Sequence, residues 1–73
     1  MPLVQVSVRS GRPPADIRRM ISAVTAAVAE SLNAPQDNVR VIVSEVPVTH
    51  WANGDVTLEE KAKAARALDR ASS

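Results

Sequence analysis

The sequence predicts an α/β fold made of a single βαβ unit with two parallel strands. Three observations predict it: an alternating apolar stretch near the start, a long apolar stripe at helical spacing, and a second β-branched stretch followed by a proline. Strand, helix and strand at these lengths form a crossover that is almost always right-handed. We predict one domain over residues 1–73, with the βαβ core at about 2–47 and a loop and C-terminal tail over 48–73.

Each element of the core has its own local signal. Apolar and polar residues alternate over residues 3–8, which predicts a strand that begins almost at the N-terminus. Apolar residues then recur every three or four positions, which predicts an amphipathic helix over about 14–32, ended by Asn33. The second strand is predicted over residues 39–46, where β-branched residues are dense and Pro47 follows.

The tail contains a turn signal and a helix signal. Asn53-Gly54-Asp55 is a turn sequence, so we predict a loop over residues 49–55. Thr57-Leu58-Glu59-Glu60 is a capping box, which predicts a helix from there to about Arg70. The apolar surface of this helix is thin, so we expect it to fray or to pack only within an oligomer.

The small size of the chain favours self-association. A domain of 73 residues buries only about 60% of its unfolded surface. No cysteine is present to form a disulfide, yet 45% of the residues are hydrophobic. One helix and two parallel strands leave a sheet face and two edges uncovered, although parallel sheets are normally buried on both faces. We therefore predict an oligomer.

Composition and charge exclude several classes of function. Nine Lys/Arg and eight Asp/Glu give a net charge of +1, without the basic excess of a nucleic-acid-binding protein. No apolar run approaches the roughly 20 residues of a membrane span, and the start lacks the features of a signal peptide. With no cysteine and one histidine, we predict no metal site. We expect a cytoplasmic protein.

Pro2 is the first candidate for a chemical role. Removal of Met1 is favoured by the small residue that follows it, and exposes a secondary amine held rigid by its ring. Burial in an apolar site and nearby guanidinium groups both lower the pKa of an amine, toward the range where a general base works best. Because many proteins begin with Met-Pro and have no catalytic role there, the assignment depends on other residues.

Several further features stand at characteristic spacings after Pro2. They are Gly11-Arg12, Ala34-Pro35, Val39-Arg40-Val41-Ile42, Glu45 and His50-Trp51. With these features the chain resembles the 4-oxalocrotonate tautomerase family, within the superfamily of amino-terminal proline tautomerases. The resemblance covers about residues 2–55. It implies an isomerase that works without a cofactor, is usually a homohexamer arranged as a trimer of dimers, and draws each site from more than one subunit.

The resemblance also implies a role for each candidate residue. Pro2 is the base that moves a proton between the oxygen and a carbon of an enol. Arg12 binds a distal substrate carboxylate, and Arg40 engages the other carboxylate and the adjacent oxygen. Trp51 stands where the family usually has a phenylalanine and forms an apolar wall. The implied reaction, known from aromatic degradation, converts a 2-hydroxydienoate such as 2-hydroxymuconate to its conjugated keto form.

Arg9 keeps a second reaction open. An arginine three positions before Arg12 resembles the α-subunit of trans-3-chloroacrylic acid dehalogenase, in which an arginine pair binds carboxylate and a glutamate activates water. The matching position here is Asn53, and an amide cannot act as a general base. We count Arg9 among the substrate-binding residues. The alternatives are a cofactor-independent hydratase or dehalogenase of 3-haloacrylate-type acids, and a non-catalytic oligomeric binding protein of the same fold.

Overall fold

The structure is a computed structural model that describes residues 1–72, with side chains described for residues 1–68. Ser73, the last residue of the predicted domain, lies outside the described residues. The elements, in chain order, are β1 (Leu3–Arg9), α1 (Pro14–Leu32), β2 (Arg40–Val46), β3 (Ala52–Asn53), β4 (Val56–Thr57) and α2 (Leu58–Ser72). Short 3-10 helical turns at Gln36–Asn38 and Val48–His50 lie on either side of β2.

The predicted βαβ unit with parallel strands is confirmed. β1 pairs in parallel with β2, so that Leu3 lies opposite Arg40 and Arg9 lies opposite Val46. β1 extends one residue beyond the predicted strand, because Arg9 still pairs with Val46 and the next N–H, of Ser10, donates to the Val46 carbonyl at 2.9 Å. β2 begins one residue later than predicted, after the 3-10 turn at Gln36–Asn38.

Both ends of α1 follow from their local sequence. The helix begins at Pro14, where a fixed φ suits the first turn and the missing N–H would have had no helical partner anyway. Asn33 ends it in the left-handed conformation, with φ 52° and ψ 46°. The N–H of Asn33 donates to the carbonyls of Ala29 and Glu30, which satisfies groups that the end of a helix leaves without partners.

One face of the β1–β2 sheet is covered by α1, and the other face is open. Half-buried and exposed residues alternate along β1 and along the first five residues of β2, Arg40–Ser44. Half-buried valines face the helix, namely Val4, Val6, Val8, Val41 and Val43. On the open face, Leu3 and Ile42 expose 55% and 51% of their surface. Ala29, with 7% of its surface exposed, is the only buried residue among 1–68, so the described part of the chain contains almost no core of its own.

The dimensions of the chain agree with this lack of a core. Its accessible surface is 5719 Å², whereas a compact monomer of 7.8 kDa exposes about 4,400 Å². Its radius of gyration is 17.3 Å, against about 11 Å for a compact domain of this length. The longest dimension is 54 Å. The chain therefore presents far more surface than a domain that folds on its own.

The prediction of a loop over residues 49–55 is wrong in part. β3 and β4 form an antiparallel hairpin, with Ala52 opposite Thr57 and Asn53 opposite Val56. Gly54 and Asp55 make its two-residue turn, with φ of 59° and 67°. Two successive positive φ values are typical of the type I′ turn, whose twist matches that of hairpin strands. The turn signal was visible in the sequence, but strands of two residues are too short to show an alternating pattern.

The predicted capping box at the start of α2 is confirmed. The Thr57 hydroxyl accepts a hydrogen bond from the Glu60 N–H at 3.1 Å, and the Glu60 carboxylate accepts one from the Thr57 N–H at 3.0 Å. The helix reaches Ser72, slightly beyond its predicted end. Within residues 1–72, neither helix is both long enough and apolar enough to cross a membrane.

We expect the helix content of α2 to fall on acidification. The hydrogen bonds from Thr57 lower the pKa of Glu60 below its ordinary value of 4.5, with a smaller contribution from Lys63. A lowered folded-state pKa stabilises the fold above the unfolded-state value, and this stabilisation is lost as pH falls through the folded-state value. Circular dichroism from neutral to acidic pH measures the loss. Glu60→Gln keeps the acceptor without titrating, so an equal loss in this variant would contradict the prediction.

Candidate active site

Pro2 and Arg40 meet at the amino end of the sheet, but through their backbones. Pro2 is half-buried, directly before β1, and its carbonyl accepts a 3.0 Å hydrogen bond from the Arg40 N–H. Successive side chains of a strand point to opposite faces. Arg40 is exposed and projects from the open face, whereas Pro2 continues the set that faces α1. The two residues therefore share one end of the sheet but not one face.

The other three predicted residues lie at the opposite end of the sheet. Arg9 is the last residue of β1 and is exposed on the open face. Arg12 is exposed in the connection between β1 and α1. Trp51 is half-buried and follows β2 after the Val48–His50 turn. Because β1 and β2 are parallel, their carboxyl ends lie at the same edge, and all three residues follow or occupy those ends.

The length of β1 separates the two groups. Seven residues of extended chain from Pro2 to Arg9 correspond to about 23 Å at the usual rise of a strand. A small carboxylated acid covers only part of that distance. Within one chain, Pro2 and Arg40 therefore lie at one end of the sheet and the other three residues lie at the opposite end. A single chain cannot bring all five residues into contact with one substrate.

Gly11 sets the direction in which the chain leaves β1 toward Arg12. Its φ of +107° lies in a region that residues with a Cβ rarely adopt. No atom stands within 4 Å of a Cβ added at this position, so the constraint is conformational and not one of space. The turn between Arg9 and Arg12 thus depends on this glycine.

We expect Gly11→Ala to lower the free energy of unfolding by about 1 kcal/mol or more, because alanine is strained at this φ. Denaturant unfolding measures the change. Ala15→Gly is the comparison variant. It makes the reverse exchange, from alanine to glycine, at an exposed position in the first turn of α1. A Gly11→Ala protein as stable as the original would show that the turn adjusts freely.

Trp51 is anchored by its backbone to the start of α2. Its carbonyl accepts a hydrogen bond of 2.9 Å from the Leu58 N–H. Beside it, the Thr49 hydroxyl and Nδ1 of His50 lie 2.7 Å apart, and both residues are exposed. Trp51 is half-buried and is the only Phe, Tyr or Trp in the chain, so its indole is a candidate apolar surface for a site at this end.

A shallow open groove lies elsewhere, along α1. Its volume is about 290 Å³, and its lining consists of Arg18, Ile21, Ser22, Thr25 and Gln36. The Arg18 guanidinium donates to the Ser22 hydroxyl at 3.2 Å. None of the five predicted site residues lines this groove. Among the residues that the structure describes, no cluster of three or more His, Cys, Asp or Glu could hold a metal ion.

Comparison with known proteins identifies the family. Residues 2–61 match a protein family described as tautomerase enzyme. A probable tautomerase of Ralstonia nicotianae is 43% identical over 51 residues, which are 70% of this chain and 73% of the relative. The 2-hydroxymuconate tautomerase of Pseudomonas putida is 37% identical over 60 residues, which are 82% of this chain and 95% of that protein.

A solved structure shows the same fold. It is the heterohexameric 4-oxalocrotonate tautomerase of Chloroflexus aurantiacus J-10-fl, with 33% identity and a TM-score of 0.79 over 82% of this chain and 97% of that one. The shared βαβ unit, the extent of the family match and the level of identity agree with one another. The chain therefore belongs to the 4-oxalocrotonate tautomerase family and is an isomerase of the tautomerase type.

Proposed function

We propose that the protein converts a 2-hydroxydienoate, such as 2-hydroxymuconate, to its conjugated keto form, with the amino nitrogen of Pro2 as the general base. The observation that carries this proposal is the position of Pro2. It lies half-buried directly before β1, where removal of Met1 would leave a secondary amine beside an arginine-bearing strand. The activity of the Pseudomonas putida relative, a 2-hydroxymuconate tautomerase, supports the choice of substrate class.

The reaction needs one proton to move and no other reagent. The Pro2 nitrogen accepts the proton of the enol hydroxyl, and the oxygen lone pair forms the new carbonyl bond. The double bonds shift along the diene, and the far carbon takes the proton back from the Pro2 ammonium. Between these two proton transfers, negative charge develops on the former enol oxygen. A guanidinium next to that oxygen stabilises the charge more in the transition state than in the ground state.

The arginines and the indole have separate parts in this mechanism. Arg40 binds one carboxylate and the developing negative oxygen, while Arg12 binds the distal carboxylate and Arg9 assists it. A planar guanidinium suits this task, because it forms two parallel hydrogen bonds with a carboxylate. Trp51 excludes water from the base, and a drier environment favours the neutral amine.

We propose further that the site forms between chains. The two groups of residues lie about 23 Å apart within one chain, and the open face exposes Leu3 and Ile42. Packing copies of the chain so that the amino end of one sheet meets the carboxyl end of another would join Pro2 to Arg12 and Trp51. Arg40 would come from a further copy, because Arg40 and Pro2 of one chain lie on opposite faces of the sheet. A homohexamer is the assembly we propose, and the heterohexameric relative supports assembly in sixes.

The direct test uses protein whose mass shows that Met1 is gone. Mixed with 2-hydroxymuconate, it is expected to change the ultraviolet absorption as the conjugated ketone forms. A matched chain with one large residue inserted between Met1 and Pro2 retains a peptide bond at the Pro2 nitrogen. An amide is not basic, so this chain is expected to be inactive. Equal rates from the two chains would refute the role of Pro2.

Water addition to an unsaturated acid is the second candidate, favoured by the location of Arg9 and Arg12 at the same end of the sheet. The reaction also needs a group that activates water. Asn53 is exposed in β3 opposite Val56, and its amide can orient water but cannot take its proton. Turnover of a 3-haloacrylate without turnover of 2-hydroxymuconate would favour this candidate.

A further inference from the structure

The hairpin and α2 are joined at the residue pair that contains Trp51. Ala52 faces Thr57 and Asn53 faces Val56, so the next opposing pair outward is Trp51 with Leu58. The Leu58 N–H donates to the Trp51 carbonyl at 2.9 Å. Leu58 is also the first residue of α2. The backbone of Trp51 is thus tied to the first turn of a helix.

The hydrogen-bonding pattern of the hairpin explains why the capping box forms at Thr57. In an antiparallel pair, hydrogen-bonded and non-hydrogen-bonded positions alternate. The bond between Trp51 and Leu58 makes theirs a hydrogen-bonded pair, so Thr57 occupies a non-hydrogen-bonded position and its N–H points away from Ala52. The Glu60 carboxylate accepts this N–H at 3.0 Å. The carboxylate therefore satisfies a donor that the hairpin cannot.

The hairpin has little stability of its own. β3 and β4 contain two residues each, and an isolated two-stranded hairpin is marginal at best in water. The reciprocal bond from the Glu60 N–H to the Thr57 hydroxyl, at 3.1 Å, fixes Thr57 from the helix side. In addition, α2 contacts the Val48–His50 turn that precedes Trp51. The segment that carries Trp51 is consequently held at one end by contacts of the Val48–His50 turn with α2 and at the other by the hydrogen bonds at the first turn of α2.

We propose that Glu60, acting through Thr57, is a positioning residue for Trp51. This inference rests on the proposed function, in which Trp51 is the apolar wall of the site. The Glu60 carboxylate accepts a hydrogen bond from the Thr57 N–H, and this cap fixes the first turn of α2. Leu58, in that turn, donates its N–H to the Trp51 carbonyl. Loss of the cap releases the hairpin, and the indole then samples other positions.

The fluorescence of Trp51 tests this directly, because the chain has no other tryptophan. Loss of a helix cap changes the ratio of held to released hairpin about fivefold. In Glu60→Ala we therefore expect acrylamide to quench the emission more strongly, by about twofold, and kcat/KM to fall by up to about fivefold. Glu60→Gln keeps an acceptor oxygen in place and is expected to retain values near those of the unaltered protein. If Glu60→Gln behaves like the unaltered protein, the hydrogen bond to Thr57, and not the negative charge of Glu60, positions Trp51.

Glu59→Ala is the matched control, since Glu59 is the neighbouring carboxylate in the same turn. Its oxygen pairs with Lys63 at 3.5 Å and takes no part in the cap. We expect this variant to leave quenching and kcat/KM unchanged. Thr57→Val removes the other half of the cap while keeping a β-branched residue in β4, and is expected to increase quenching as Glu60→Ala does.

Two results would overturn the inference. One is unchanged quenching in both Glu60→Ala and Thr57→Val. The other is a loss in Glu60→Gln as large as that in Glu60→Ala. Quenching is measured without substrate, so it decides the positioning role even if the unaltered protein fails to turn over 2-hydroxymuconate. That failure would count against the proposed function alone.

Discussion

Pro2→Ala is expected to lower kcat/KM for 2-hydroxymuconate by about 100-fold, the lower end of the usual contribution of a general base. Alanine leaves a primary amine at the start of the processed chain, so some proton transfer persists. What is lost is the rigid ring that holds the nitrogen at the amino end of β1, where Pro2 is half-buried. Initial rates on processed protein, with the N-terminal mass checked, measure the effect.

Pro14→Ala provides the matched control. Pro14 is the first residue of α1, a position that accepts alanine without loss of a hydrogen bond, and it takes no part in the proposed chemistry. Activity near that of the unaltered protein is expected. If Pro2→Ala were as active as Pro14→Ala, the base would have to be sought elsewhere in the chain.

Mixing two strongly impaired variants is expected to restore activity. Pro2→Ala impairs the base, and Arg12→Ala removes a carboxylate-binding group that follows the opposite end of β1. If each site takes Pro2 from one chain and Arg12 from another, random assembly of the two variants gives about one quarter of the sites with both residues intact. Such sites carry the full activity of the unaltered protein.

The experiment refolds the two variants together at equal amounts and compares their rate with the average of the separate proteins. Recovery to about a quarter of the original rate is expected for independent sites shared between chains. A rate no higher than the average would show that one chain supplies both residues, and would contradict the proposed division of the site. Each variant refolded alone controls for reactivation by refolding itself.

Most of the fold could be predicted from the sequence because its signals are local and strong. The helix over Pro14–Leu32 has proline at its start and asparagine at its end, and both ends agree with the prediction. The capping box at Thr57 likewise marks the start of α2 within one residue. The β3–β4 hairpin was not predicted, since two-residue strands carry no periodicity and are defined only by the pairing between them.

The candidate site was predictable in residue type but not in arrangement. The spacing of Pro2, Arg12, Arg40 and Trp51 identifies the family, which the comparisons confirm. No local pattern reveals that Arg40 projects from the face opposite to Pro2, because this follows from the register of β1 against β2. The role of Glu60 is also hidden in the sequence, where it appears only as part of a helix start.

Because the chain has almost no core, the fraction of chains that are folded and active is expected to depend on the concentration of the protein. With Ala29 the only buried residue among 1–68, folding alone gains little, and in the assembly proposed above most of the stabilisation would come from neighbouring copies. Folding, assembly and completion of the site then belong to one equilibrium. At a low rate of synthesis, most chains would remain unassembled and accessible to proteases. At a higher rate, chains would assemble, resist proteolysis and become catalytic.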